Sequence, residues 1–151
     1  MHPADRHARV AGLVYLALAV TAPVTLLVLP GRMRVPGDPA ATLARIAADP
    51  MLLQLQMAAE LLVGLLSVAT AVALYRLFAP VAREVAQLLV LLGGVIPAVL
   101  YFANAVPLGA IVALATQAQD VAGLAEGERV AHSATLFVMH RYGIAVSYTH
   151  L

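Results

Sequence analysis

The chain has 151 residues, of which 62% are hydrophobic and 11% charged, with a net charge of +1 and a mean hydropathy of +0.91. A soluble domain averages roughly 45–50% apolar and about 25% charged residues, and so short a chain cannot hide the surplus in one core, whereas a bilayer absorbs it. With a net charge of +1 and no basic run, nothing points to nucleic acid as a partner, and the absence of cysteine excludes disulfides, thiolate chemistry and cysteine metal sites.

The polar stretch 1–9 carries Arg6 and Arg9 and is followed by twenty residues without a charge, Val10 to Leu29. About 20 apolar residues cross a hydrocarbon core of about 30 Å. A cleaved signal peptide is the competing reading. The run exceeds the roughly 7–15 residues of a signal core. The one small-residue site, Val20-Thr21-Ala22, lies inside the run and is followed by Pro23. The first span is therefore read as uncleaved, ending at Pro30-Gly31.

The loop 31–50 holds Arg32, Arg34, Asp38, Arg45 and Asp49. Asp38-Pro39 reads as an N-cap with proline at the first helical position. Leu43, Ile46 and Ala47 share one face, which predicts a short amphipathic helix over 39–48, lying along the membrane surface. Asp49-Pro50 repeats the cap signal and opens a second span that Arg76 closes. After a short turn carrying Pro80 and Arg83, a third apolar stretch, Val85 to Thr116, is longer than a bilayer needs. Pro97 and Pro107 inside it predict kinks. Residues 117–133 are polar, and a fourth apolar segment starts near Ala134 and reaches Val146. About 13 residues do not span a bilayer. The helices are expected over 7–29, 39–48, 51–78, 84–115 and 130–146.

The fold class is thus an all-α polytopic transmembrane helical bundle: three complete spans, a truncated fourth and a short surface helix, forming one incomplete domain over 1–146. The closing Ser147-Tyr148-Thr149-His150-Leu151 resembles a translated sequencing adapter and is read as a non-native tail making few buried contacts. With the N-terminus inside, Arg6, Arg9, Arg76 and Arg83 lie inside and Arg32, Arg34, Arg45 and Arg129 outside. The four-to-four count leaves the positive-inside rule undecided. The inner arginines abut the spans more closely, which favours the N-terminus inside.

Three segments carry a family resemblance. They are Arg9-Val10-Ala11-Gly12-Leu13-Val14-Tyr15, Val35-Pro36-Gly37-Asp38 and Leu74-Tyr75-Arg76-Leu77; Met139-His140-Arg141-Tyr142-Gly143 adds a His-x-Tyr-Gly pattern in the fourth helix. Their order and spacing resemble the bacterial membrane family called domain of unknown function 4386, over residues 6 to about 145. The resemblance implies a multi-pass protein of the bacterial cytoplasmic (inner) membrane. It also implies longer members with about six spans, so that this chain is an N-terminal fragment. It supplies no activity.

Glu60 is the most informative residue. Ten positions past Pro50 it lies about 15 Å along its helix, near the bilayer midplane. An acid there costs on the order of 2.5–3.5 kcal/mol on insertion scales, so it must face the bundle and find a partner. It is either a proton- or substrate-binding acid or a hydrogen-bonded packing acid. Gln56, Glu60, Gly64, Ser67 and Ala71 share one face, and Gly94, Pro97, Tyr101 and Asn104 make a similar stripe on the third span. Small and polar stripes are how membrane helices pack, and they also line pathways. His140 and Arg141 enter the fourth span at a depth matching Glu60, so one of them is a candidate partner; the alternative is a basic side chain reaching outward to the interface. His132 and His140 stand about 80° apart around a helix, which makes a weak metal or haem signal. No metal and no cofactor is expected. The expected partners are the lipid bilayer and a protein partner or second copy in the membrane.

Three functions fit these residues. The first is a non-catalytic membrane scaffold or interaction protein. The second is a small proton-coupled carrier using Glu60, and the third an intramembrane enzyme. A water-accessible cavity reaching Glu60 discriminates for transport, and dry small-residue packing around it for the scaffold.

Overall fold

A computed structural model describes the backbone of residues 3–149 and the side chains of residues 5–146. The described residues form five helices and no strand. Helix α1 runs Pro3–Pro23, continues through a π turn at Val24–Val28 and ends as Leu29–Met33. Helix α2 is Pro39–Ala48 and α3 is Pro50–Phe78. Helix α4 is Arg83–Val90, a π turn at Leu91–Val95, and Ile96–Thr116. Helix α5 is Glu126–Thr149. Three stretches are long and apolar enough to cross a membrane: Asp5–Met33, Pro50–Phe78 and Arg83–Thr116. The protein is an all-α transmembrane helical bundle.

Both π turns have the same cause. A proline in a helix lacks its N–H and its ring collides with the carbonyl four residues back. Leu29, just before Pro30, donates instead to the Val24 carbonyl, and Ile96, just before Pro97, donates to the Leu91 carbonyl. Each bond reaches five residues back and widens the helix where the proline ring must fit. This is why Pro30-Gly31 does not end α1, contrary to the sequence expectation: the helix persists to Met33. Pro107 lies within α4 without a π turn.

The segment between α1 and α3 is built from its sequence signals. Val35-Pro36-Gly37-Asp38 forms a turn closed by Asp38 N–H to the Val35 carbonyl at 3.1 Å, with Gly37 at φ +77°. Proline second and a positive-φ glycine third are the requirements of a type II turn. Asp38 Oδ1 then accepts from Ala41 N–H at 2.8 Å and caps α2. The buried Thr42 hydroxyl accepts from Val35 N–H at 3.0 Å and donates to the Asp38 carbonyl at 2.9 Å, pinning the turn to the helix. Thr42, Leu43 and Ile46 are the buried face of α2 and Ala47 is exposed, so the face is rotated from the one expected. Asp49 makes no side-chain cap; it ends α2 and precedes Pro50 at the start of α3.

Helix α5 starts earlier than expected, at Glu126. Glu128 reaches back to accept from Ala125 N–H at 2.8 Å, half of a capping box, and two acids in the first turn suit the helix dipole. The expectation that residues 147–151 make few buried contacts lies outside the described side chains.

Helices pack in the order α1 on α3, α3 on α4, α4 on α5, with α2 capping one end against α3, α4 and α5. The apolar core sits under α2, where Met33, Leu43, Ile46, Leu53, Leu108 and Ile111 meet. Further along, the two small-residue stripes face one another. A β-carbon on Gly94 would lie 2.7 Å from Ala71 Cβ, and one on Gly64 would lie 3.1 Å from Phe102 Cε1. Among the described residues, α5 packs directly on neither α1 nor α3. The space between these three helices at the α2 end is therefore bridged by side chains rather than by direct helix packing.

Candidate functional site

Gln56 and Glu60 are one helical turn apart on α3 and point into this gap. Glu60 is 0% and Gln56 1% exposed. The Gln56 amide donates to Glu60 Oε1 at 2.9 Å. From the opposite wall, His140 Nε2 sits in the fork of the carboxylate, 2.9 Å from Oε1 and 3.0 Å from Oε2. A single proton is shared across this contact, carried by the imidazole nitrogen or by the acid. His140 is itself buried, and its Nδ1 has no hydrogen-bond partner among the described residues. The pair thus spans α3 and α5, which otherwise do not pack on one another.

Two cations stand beside it. Arg34, at the end of α1, lies 4.7 Å over the Phe137 ring of α5, a cation–π contact that ties the turn to that helix. Burial holds the Arg34 guanidinium below its ordinary range, the like charge of Arg141 adds to that, and Glu60 opposes it. Arginine keeps its charge throughout. A crevice of about 80 Å³ is lined by Glu60, Gln56, His140, Arg34, Arg141 and Thr25, among others. That is the volume of two to three waters at about 30 Å³ each. Arg34 and Arg141 also line a larger groove of about 400 Å³ formed by the 34–42 turn and α5. The groove and the crevice therefore share a wall of two guanidinium groups.

The residues singled out from the sequence divide into two sets. Gln56, Glu60, His140 and Arg141 come together in the crevice. His140 points inward while Arg141 is exposed at the mouth and lies 5.4 Å from the Tyr142 ring. Tyr101 and Asn104 are buried on α4 but serve helix contacts. Tyr101 packs beside Gly64, and the Asn104 amide occupies the space where a β-carbon on Gly143 would stand. The His-x-Tyr-Gly pattern thus has two structural reasons: the histidine meets Glu60 and the glycine admits Asn104. His132 is exposed and lines a different groove, beside Leu124 and Leu136, away from His140. Among the described residues no three His, Cys, Asp or Glu side chains cluster to hold a metal.

Sequence reasoning missed Arg34 and Thr25. Arg34 was counted only as a loop charge. The available signal was the type II turn after it, which folds the chain back over the end of α5. Thr25 is buried with its hydroxyl donating to the Thr21 carbonyl at 2.9 Å. Such back-bonding lets a threonine sit on an apolar helix without an orphaned donor, and so leaves no pattern to read.

Residues 10–150 match the family model described as Domain of unknown function (DUF4386), and the chain belongs to that family. No curated protein and no solved structure matches the chain.

Proposed function

We propose that this membrane protein is a small proton-coupled carrier of the bacterial inner membrane, in which the Glu60–His140 pair is the proton-binding group. The observation that carries the reading is the crevice wall: an acid with no exposure, hydrogen-bonded to an imidazole, borders a small space that shares Arg34 and Arg141 with an open groove. A carboxylate and a neutral imidazole hold one fewer proton than the ion pair. The pair can therefore gain or lose a proton while Arg34 and Arg141 remain as fixed positive charges beside it. Glu60 is faced by Gln56 on its own helix, by His140 and Arg141 on α5, and by Arg34 and Thr25 at the end of α1. Tight packing alone does not call for such a pair, because apolar side chains of similar volume are often as stable as a buried ion pair.

The scaffold reading rests on the contact between α3 and α4, where small residues bring the helices close. In that reading the Glu60–His140 contact is a tie between α3 and α5 and nothing more. The test is reconstitution of the full chain in liposomes with a pH-sensitive dye inside. Under an imposed pH gradient the wild type should move protons. Glu60→Gln should still fold, with only a modest loss of stability, and move none, because an amide keeps the volume and can hydrogen-bond but cannot titrate. Equal flux from wild type and Glu60→Gln, or none from the wild type, overturns the carrier reading and leaves the scaffold.

A further inference from the structure

We infer that the groove between the 34–42 turn and α5 is a binding site for a small oxyanion, a phosphate or a carboxylate, gripped by Arg34 and Arg141. The two guanidinium groups share the walls of both the groove and the crevice beneath it. Two acids are in reach, and each accepts hydrogen bonds from the protein. Asp38 Oδ1 caps α2 by accepting from Ala41 N–H, and Glu60 accepts from Gln56 and His140. The Thr42 and Ser133 hydroxyls both donate to backbone carbonyls at 2.9 Å. Among the described residues neither arginine makes a salt bridge, and Arg34 Nε is buried without a hydrogen-bond partner.

The like charges of Arg34 and Arg141 repel each other, and a single oxyanion between them removes that repulsion. The planar guanidinium fork fits the oxygens of phosphate and carboxylate better than any other protein donor. Pro36, Phe137 and Val138 supply apolar walls for the rest of the molecule, and the volume of about 400 Å³ suits a small organic anion. The same anion chemistry has two sources. One is a soluble anion entering from water, and the other is a lipid headgroup, since Val138 and Tyr142 face outward along α5. As a statement of substrate class the assignment rests on the carrier reading; as a binding site it does not.

The experiment uses the purified full chain in phosphatidylcholine nanodiscs. Inorganic phosphate is titrated by calorimetry, and thermal stability is compared in discs with and without phosphatidylglycerol. Saturable phosphate binding identifies the soluble source, and stabilisation by phosphatidylglycerol alone identifies the headgroup. Arg141→Gln, at an exposed position that should not disturb folding, should weaken binding about tenfold or more, the worth of one charge-assisted hydrogen bond. Arg34→Gln should do the same, with Arg34→Lys recovering only part. Arg83→Gln, the same charge change at the far end of the bundle, should bind as the wild type does. Absence of both phosphate binding and lipid stabilisation overturns the site, as does binding that is the same in Arg141→Gln and wild type. Anion binding without Glu60-dependent proton movement removes the carrier reading and keeps the site; proton movement without anion binding does the reverse.

Discussion

Removing His140 tests whether the contact across the gap is a charged pair or an ordinary hydrogen bond. In His140→Ala the Glu60 carboxylate loses both contacts with Nε2 and keeps only the Gln56 amide, at a site with no exposure. Breaking a buried ion pair by removing one partner costs about 3–5 kcal/mol. Neutral hydrogen bonds between membrane helices contribute far less, about 0.6 kcal/mol on average and about 1.7 at most in double-mutant cycles. The two cases therefore separate by magnitude. They also separate by sign. Glu60→Gln in the wild-type background gives up a charge-assisted bond and should destabilise by about 1–2 kcal/mol. In the His140→Ala background the same change removes an unpaired buried charge and should stabilise by a similar amount. The assay is denaturant titration of the refolded protein in micelles, read by helical circular dichroism, for all four members of the cycle. If Glu60→Gln destabilises both backgrounds, or if the coupling is no larger than about 0.6 kcal/mol, the contact is a neutral hydrogen bond and the argument from charge fails.

Gly143→Ala should cost about 1–3 kcal/mol in the same titration, because its β-carbon overlaps the Asn104 amide; adding Asn104→Ala should recover most of the loss. Gly94→Ala should force α3 and α4 apart, since the new carbon would stand 2.7 Å from Ala71 Cβ, and Ala71→Gly in that background should restore stability. Gly37→Ala should cost about 1 kcal/mol at φ +77°, whereas Gly31→Ala, with open space around it, should be neutral or slightly stabilising. Reporter fusions at Ala40 and Pro80 should fall on opposite sides of the membrane, because only α3 separates them; a shared side would remove that helix from the list of spans.

Much of the architecture was written locally. Apolar runs longer than a bilayer is thick have few places to go, so the three spans follow from Val10–Leu29, the segment after Pro50 and Val85–Thr116. Asp38-Pro39 located the start of α2 because its cap geometry involves neighbours only three residues apart. Where a prediction needed the helix to respond to strain, local rules were insufficient. Pro30-Gly31 reads as a stop, yet the π turn at Val24–Val28 just before it lets α1 run on to Met33. The start of α5 lies inside the polar stretch 117–133, where no apolar pattern marks it, and the return of Glu128 to Ala125 N–H shows why the helix begins there.

The sequence by itself determined that Glu60 must face inward, since a midplane acid facing lipid costs too much, and that its helix face carries Gln56 one turn away. It could narrow the partner to His140 or Arg141 from depth alone. Choosing between them required the rotation of α5 about its own axis, and in the structure that rotation brings Gly143 against Asn104 on α4. With that rotation His140 is buried in the gap and Arg141 is exposed at its mouth. The position of Arg34 was likewise beyond the sequence: a type II turn, Thr42 and the Phe137 ring together fold the end of α1 over α5. Periodicity fixes which face of a helix is buried because that depends on one chain segment and its solvent. Which residue meets which across a gap depends on the rotations of two helices relative to one another, and those are fixed by packing between residues far apart in the chain.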